Sequence, residues 1–188
     1  MTKLVTIVSA LALCTTAMAQ DKQLSLGLDL SLPMGDFGDA YSLGVGPAAG
    51  FELPVGDNIG ITAQLSYQIL LVKSDLSDFI KSASMVPIQA GVKYYFMDQQ
   101  EGFYGHGQVG VHMASVKTED FTFLGVTVPG ETTSSTNFSW AIGAGYQMEK
   151  FDIGLRYNSI SPDSDAPDGT NSSTYIGLRV GYLIPLGG

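Results

Sequence analysis

Residues 24–32 read "LSLGLDLSL", with leucine at every even position and Ser25, Gly27, Asp29 and Ser31 between. A period of two belongs to a β-strand whose two faces meet different surroundings. The alternation returns over Leu43–Leu53, Ile59–Leu71, Met85–Met97, Phe103 to about Lys117, Asn137–Met148, Phe151–Asn158 and Thr174–Leu186, making eight segments. Across Glu149-Lys150 the parity flips, as it must where a tight hairpin reverses the chain and the next strand keeps its apolar face outward. A helical reading fails because apolar residues do not recur at i, i+3 and i+4. Gly143, Gly145 and Gly154 would also each cost a helix about 1 kcal/mol.

The N-terminus supplies the compartment. "MTKLVTIVSALALCTTAMAQ" has a short head with Lys3, an apolar core from Leu4 to Leu13 and the small-residue pattern Ala17-Met18-Ala19. That is the layout of a secretory signal peptide over residues 1–19, leaving residues 20–188 as one domain. A retained helical anchor would need roughly 20 apolar residues. A lipoprotein reading through Cys14 wants Gly, Ala or Ser where Leu13 stands. Cleavage removes the only cysteine, so thiol and disulfide chemistry are excluded from the mature chain. Nine Lys plus Arg against eighteen Asp plus Glu argue against nucleic acid, whose phosphates want a basic surface.

In lipid only helices and closed barrels satisfy their backbone polar groups. Nothing after Ala19 reads as a spanning helix, and the connections alternate in length as those of an outer-membrane barrel do. Pro54–Asn58, Asp98–Gly102 and Glu149-Lys150 are short; the stretches near Pro33–Ser42, Lys73–Ser84, Thr118–Ser135 and Ser161–Ser172 are long and polar. The expected fold is therefore all-β, a closed eight-stranded antiparallel up-and-down transmembrane β-barrel with both termini on the short-turn side. Within the loops, "DLSDFIKS" suggests a short amphipathic helix with Leu76, Phe79 and Ile80 on one side. "FTFLGVTV", Phe121 to Val128, suggests an extension of the fifth and sixth strands above the membrane.

In the last strand, Arg179, Gly181, Ile184 and Leu186 fit the pattern polar–x–Gly–x–x–apolar–x–apolar. Together with the eight dyads, this resembles the small eight-stranded outer-membrane barrels of Gram-negative bacteria, the OmpA/OmpX-like barrel superfamily. The resemblance covers the whole mature chain. It implies location in the cell outer membrane, contact with its lipid and lipopolysaccharide, and recognition of the C-terminal strand by the barrel-assembly machinery.

The ionisable residues on the expected lumen faces are Asp29, Glu52, Lys93, Asp152, Arg156 and Arg179, with His106 and His112. They read either as a paired polar plug or as the gate of a narrow pore. An eight-stranded barrel is just wide enough to be filled by side chains, which favours the plug. His106 and His112 lie about 20 Å apart along a strand and cannot clamp one metal ion unaided. No catalytic triad is recognisable around them. "DSDAPDGTN", Asp163–Asn171, misplaces the third acid of a calcium loop and has Thr174 where a Glu is wanted, so it reads as a solvated acidic loop. Tyr67, Tyr94, Phe96, Phe103, Trp140, Tyr146, Phe151, Tyr157 and Tyr182 fall on lipid faces and read as interfacial girdles, distributed around the barrel.

These readings lead to a monomeric outer-membrane barrel without enzymatic activity or cofactor, whose long loops serve surface contact or envelope integrity. One alternative is a porin-like channel for small solutes. Another is a soluble secreted barrel, loaded the other way round with its aromatics inside around a hydrophobic ligand.

Overall fold

The computed structural model describes residues 22–97, 100–123, 126–162 and 172–186, with backbone alone across 121–128. The segment 1–19 and the acidic stretch Asp163–Asn171 lie outside the described residues. The strands are β1 (Gln23–Met34), β2 (Tyr41–Pro54), β3 (Ile59–Ser66), β4 (Gln68–Val72), β5 (Ile80–Tyr95) and β6 (Gly102–Thr118). They continue with β7 (Phe121–Phe123), β8 (Val126–Val128), β9 (Thr132–Gln147), β10 (Phe151–Ile160) and β11 (Ser173–Pro185). Taking β3 and β4 as one interrupted stave, eight staves pair antiparallel with their neighbours around a ring. The ring closes where β11 returns to β1, in register from Gln23↔Pro185 to Met34↔Thr174. Every stave has a partner on both sides, which removes the free strand edges that lipid cannot satisfy.

The dyad sorts the side chains as expected. Leu28, Ile61, Ile142 and Leu155 are exposed on the outer wall, while Asp29, Gln68, Gln89 and Arg179 are buried within. A soluble barrel would turn the first set inward, so that alternative does not stand. Glycines on the inner faces make room for larger neighbours: a Cβ at Gly145 or Gly154 would meet the Tyr104 hydroxyl, and one at Gly60 the Glu52 carboxylate.

The third stave breaks at Tyr67, and the cause lies in its neighbours. The Tyr67 N–H donates to Pro47 O at 3.0 Å, but Pro47 has no N–H to return. On the other side, the register Leu65↔Ile88 and Gln68↔Met85 sets Pro87 opposite Ser66, again without a donor. Two prolines thus take one ladder bond each from consecutive residues of a single stave. At the same level a Cβ at Gly46 would fall on the Tyr67 carbonyl, so the two backbones approach as only glycine allows.

The loops depart from expectation in two places. "DLSDFIKS" forms a single 3₁₀ turn, Ser74–Leu76, rather than an amphipathic helix; Phe79 is exposed and Ile80 already opens β5. Phe121–Val128 forms its own two-stranded ribbon, β7 with β8. It is β6 and β9 themselves that extend the wall, to Thr118 and from Thr132, and the ribbon follows beyond them. Staves β5 and β9 therefore stand taller than the alternation indicates, whereas β6 ends within a residue of its expected limit. Above the hydrocarbon, nothing requires an apolar outer face, and Ser82–Ser84 and Thr132–Ser135 carry no dyad. The first long loop contains a six-residue helix, α1 (Gly35–Ala40), which packs against β1, β2 and β11.

The short connections are as compact as expected. The Met148 N–H reaches Phe151 O at 2.7 Å across Glu149-Lys150. The turn before β6 uses positive φ at Gln100 and Gly102.

Candidate functional site

The interior is layered. Nearest the short turns, Lys93 Nζ lies 2.8 Å from Asp152 and 3.0 Å from Glu52, and donates to Gln147 at 3.1 Å. Tyr104 donates to Asp152 at 2.6 Å, and the Tyr95 hydroxyl sits 2.7 Å from Glu52. The ammonium also lies 4.3 Å from the Tyr104 ring centroid, a cation–π contact in a dry setting. Gln147 ties this layer to the turn by donating to Gln23 at 2.9 Å and to the Gln100 carbonyl at 3.0 Å.

The middle layer is centred on Asp29. Arg179 grips it with a two-toothed fork at 2.7 and 2.8 Å, and Arg156 adds a third contact at 2.6 Å while reaching Gln64 at 2.6 Å. Parallel N–H donors matching a carboxylate make this the strong form of ion pair. One layer has one carboxylate against two guanidiniums, the other two carboxylates against one ammonium. Together the three acids and three bases cancel. Around Gln23, Ser25, Lys93 and Asp152 the remaining space is about 10 Å³, at the limit of one water molecule.

Beyond the ion pairs comes a neutral polar layer. Ser31 donates to Gln68 at 2.5 Å, Gln68 donates to Ser66 at 3.1 Å, and His112 Nε2 lies 2.7 Å from the Tyr175 hydroxyl. His106 stacks on Tyr104 at 5.7 Å between ring centroids, so the two histidines sit in different layers. Above this floor the long-loop end is apolar: Tyr41, Leu70, Ala83, Met85 and Tyr175 form a buried cluster. Tyr41, Leu70 and Met85 of this cluster border a cavity of about 330 Å³ that Phe37 of α1 also lines.

Charge-paired and glycine-accommodated, with its larger cavity at the loop end, this is the interior of a filled barrel. Residues 5–161 match the protein family described as outer membrane protein beta-barrel domain. The chain belongs to this outer-membrane β-barrel family. Among solved structures, the outer-membrane barrel resembles Ail, the attachment invasion locus protein of Yersinia pestis, at 17% identity and a TM-score of 0.60. That match covers 89% of this chain and 100% of Ail. Neisserial surface protein A is similar at 13% identity and a TM-score of 0.55, covering 88% of this chain and 97% of the other. The N-terminal barrel domain of Pseudomonas aeruginosa OprF follows at 12% and 0.53, covering 88% and 98%. Identities this low speak for the fold alone. No curated protein sequence is close enough to match.

On the outer wall of this outer-membrane barrel, Tyr94, Phe96, Phe103, Tyr146, Phe151 and Tyr182 cluster at the short-turn end of five adjoining staves. They meet edge to face, Phe103–Tyr146 at 4.8 Å, Phe151–Tyr182 at 5.5 Å and Tyr94–Phe96 at 5.8 Å. Outside that arc Phe51 is exposed near the same end of β2. Trp140 and Tyr157 pair at 5.9 Å nearer the loops. In the last strand Ile184 and Leu186 follow Arg179 and Gly181, with Leu186 N–H donating to Lys22 O at 2.6 Å.

The sequence reading assigned no role to Tyr95, Tyr104, Gln147, Gln64 or Tyr175. All five occupy inner-face parity positions, which is the signal that finds them. The apolar cluster has a different signal: over Gln68–Val72, "QILLV", the alternation lapses because both faces are apolar.

Proposed function

We propose that the mature chain, residues 20–188 after loss of a signal peptide over 1–19, is a non-conducting, non-enzymatic stem that holds its long loops at the cell surface. The observation that carries this is the packed lumen: six buried charges paired across the barrel, with space for no more than a water beside Lys93. Opening a route for solutes would separate charges that have no water to turn to, a costly step. In planar lipid bilayers the refolded protein is expected to stay electrically silent at high protein load. Discrete conductance steps would overturn the reading in favour of a narrow channel.

The loops are where surface contact belongs. Residues 33–42, 73–84, 118–135 and 161–172 hold ten acidic and two basic residues, so they carry eight of the chain's nine net negative charges. One Ail structure holds the heparin analogue sucrose octasulfate. A polyanion of that kind would be repelled here, so that ligand class is not carried over. The expected surroundings are outer-membrane lipid and lipopolysaccharide, with divalent cations bridging acid to phosphate. The assembly machinery would read Arg179, Gly181, Ile184 and Leu186 during insertion of a monomer.

A further inference from the structure

The cavity at the loop end has no part in the plug. Its walls are Phe37, Tyr41, Leu70, Met85, Val116 and Ile160, with Ser84 and Asn137 between them, and among the described residues no ionic side chain lines it. Its floor is polar: His112 is buried, its Nε2 engaged by Tyr175, while its Nδ1 has no partner among the described residues. The nearest ion pair lies deeper, four residues down β11 from Tyr175 at Arg179. Ser135, Ser161 and Ser173, at the loop ends of β9, β10 and β11, give the entrance a wettable rim. At about 330 Å³ the cavity falls within the size range of small-molecule sites, with apolar walls and a few polar groups. Of these the Asn137 amide is already engaged, donating to the Ser161 carbonyl at 3.1 Å, which leaves His112 as the unpartnered ring at the floor.

We propose that this cup binds a small neutral molecule with an aromatic or alicyclic body and a single hydrogen-bonding group, entering from the loop side. Neutrality follows from the lining, which offers no counter-charge to an ion leaving water. The hydrogen-bonding group answers His112 Nδ1. The Tyr175 hydroxyl can give or take a proton from Nε2, so the imidazole can present Nδ1 as acceptor or as donor. A hydroxyl fits either state. Nothing in this depends on what the loops contact outside the barrel.

The test uses phenol and benzene as probes on the full mature barrel in phosphatidylcholine nanodiscs, with ¹³C-methyl methionine. Met85 lies in the cup, whereas Met148 faces lipid and reports simple partitioning. Phenol is expected to shift the Met85 methyl saturably while Met148 drifts linearly. His112→Phe keeps the ring but removes the anchor, and should weaken phenol about fivefold while leaving benzene unchanged. Ala114→Trp should fill the cup and abolish the Met85 response in protein that still shows heat-modifiable gel migration. If that variant does not fold, the phenol–benzene split at His112 decides alone. A Met85 response that only parallels Met148 overturns the proposal, whether a loop, a lipid chain or nothing fills the space. So does phenol affinity unmoved by His112→Phe, or saturation that survives a folded Ala114→Trp.

Discussion

Lys93 is held at once by two carboxylates, an amide oxygen and a tyrosine face, and it is 2% exposed. Removing its charge leaves Glu52 and Asp152 buried without a cation. Lys93→Met is therefore expected to lower stability by about 3–5 kcal/mol, read as the urea midpoint of Trp140 fluorescence in lipid. Lys81 and Glu119 form the contrasting pair, 3.4 Å apart on the loop side and well exposed. Lys81→Ala should cost no more than about 1 kcal/mol. If the two substitutions behaved alike, the inner layer would not be the sealed, unscreened environment described. The identities of the inner charges were legible from parity, because Asp29, Glu52, Lys93, Asp152, Arg156 and Arg179 each fall out of phase with an apolar neighbour. Their pairing was not. Asp29 meets Arg179 only because the ring closes β1 on β11, and a contact across 150 residues leaves no local mark.

At the scale of the strand, the stave interrupted at Tyr67 is where the wall has lost bonds on both flanks. Each lost donor leaves one carbonyl without its ladder partner, a deficit of about 1 kcal/mol in local stability. Amides of Ser66–Gln68 are expected to exchange with deuterium about tenfold faster than those of Leu28–Leu30 in the β1–β11 seam. Pro47→Ala, on the lipid face, restores a donor opposite Tyr67 and should slow that exchange. Equal protection in the two segments would show the break to be a labelling convention rather than a weak point. The eight staves themselves were readable because lipid on one side and polar side chains on the other impose a strict period of two. The period fades where that contrast ends. The upper ends of β5 and β9 rise beyond the apolar band, and above Gln68 the cup makes both faces of β4 apolar.

For the molecule as a whole, the one cysteine is Cys14, so in protein without residues 1–19 single introduced cysteines can report sidedness. Ser77→Cys, exposed in the second long loop, should react with a membrane-impermeant maleimide on intact cells. Gly56→Cys, in a short turn with open space around it, should react only after the outer membrane is breached. The reverse result would invert the barrel and put the acidic loops inside. Charge is also partitioned: the paired interior sums to zero, while the loops hold nearly all the net negative charge. Mobile ions shorten the reach of exposed charges to about 8 Å at physiological strength, yet do not enter a dry core. Raising sodium chloride should thus alter how this protein meets its neighbours while its unfolding midpoint stays where it was: two electrostatic systems in one chain, only one of which the medium can tune.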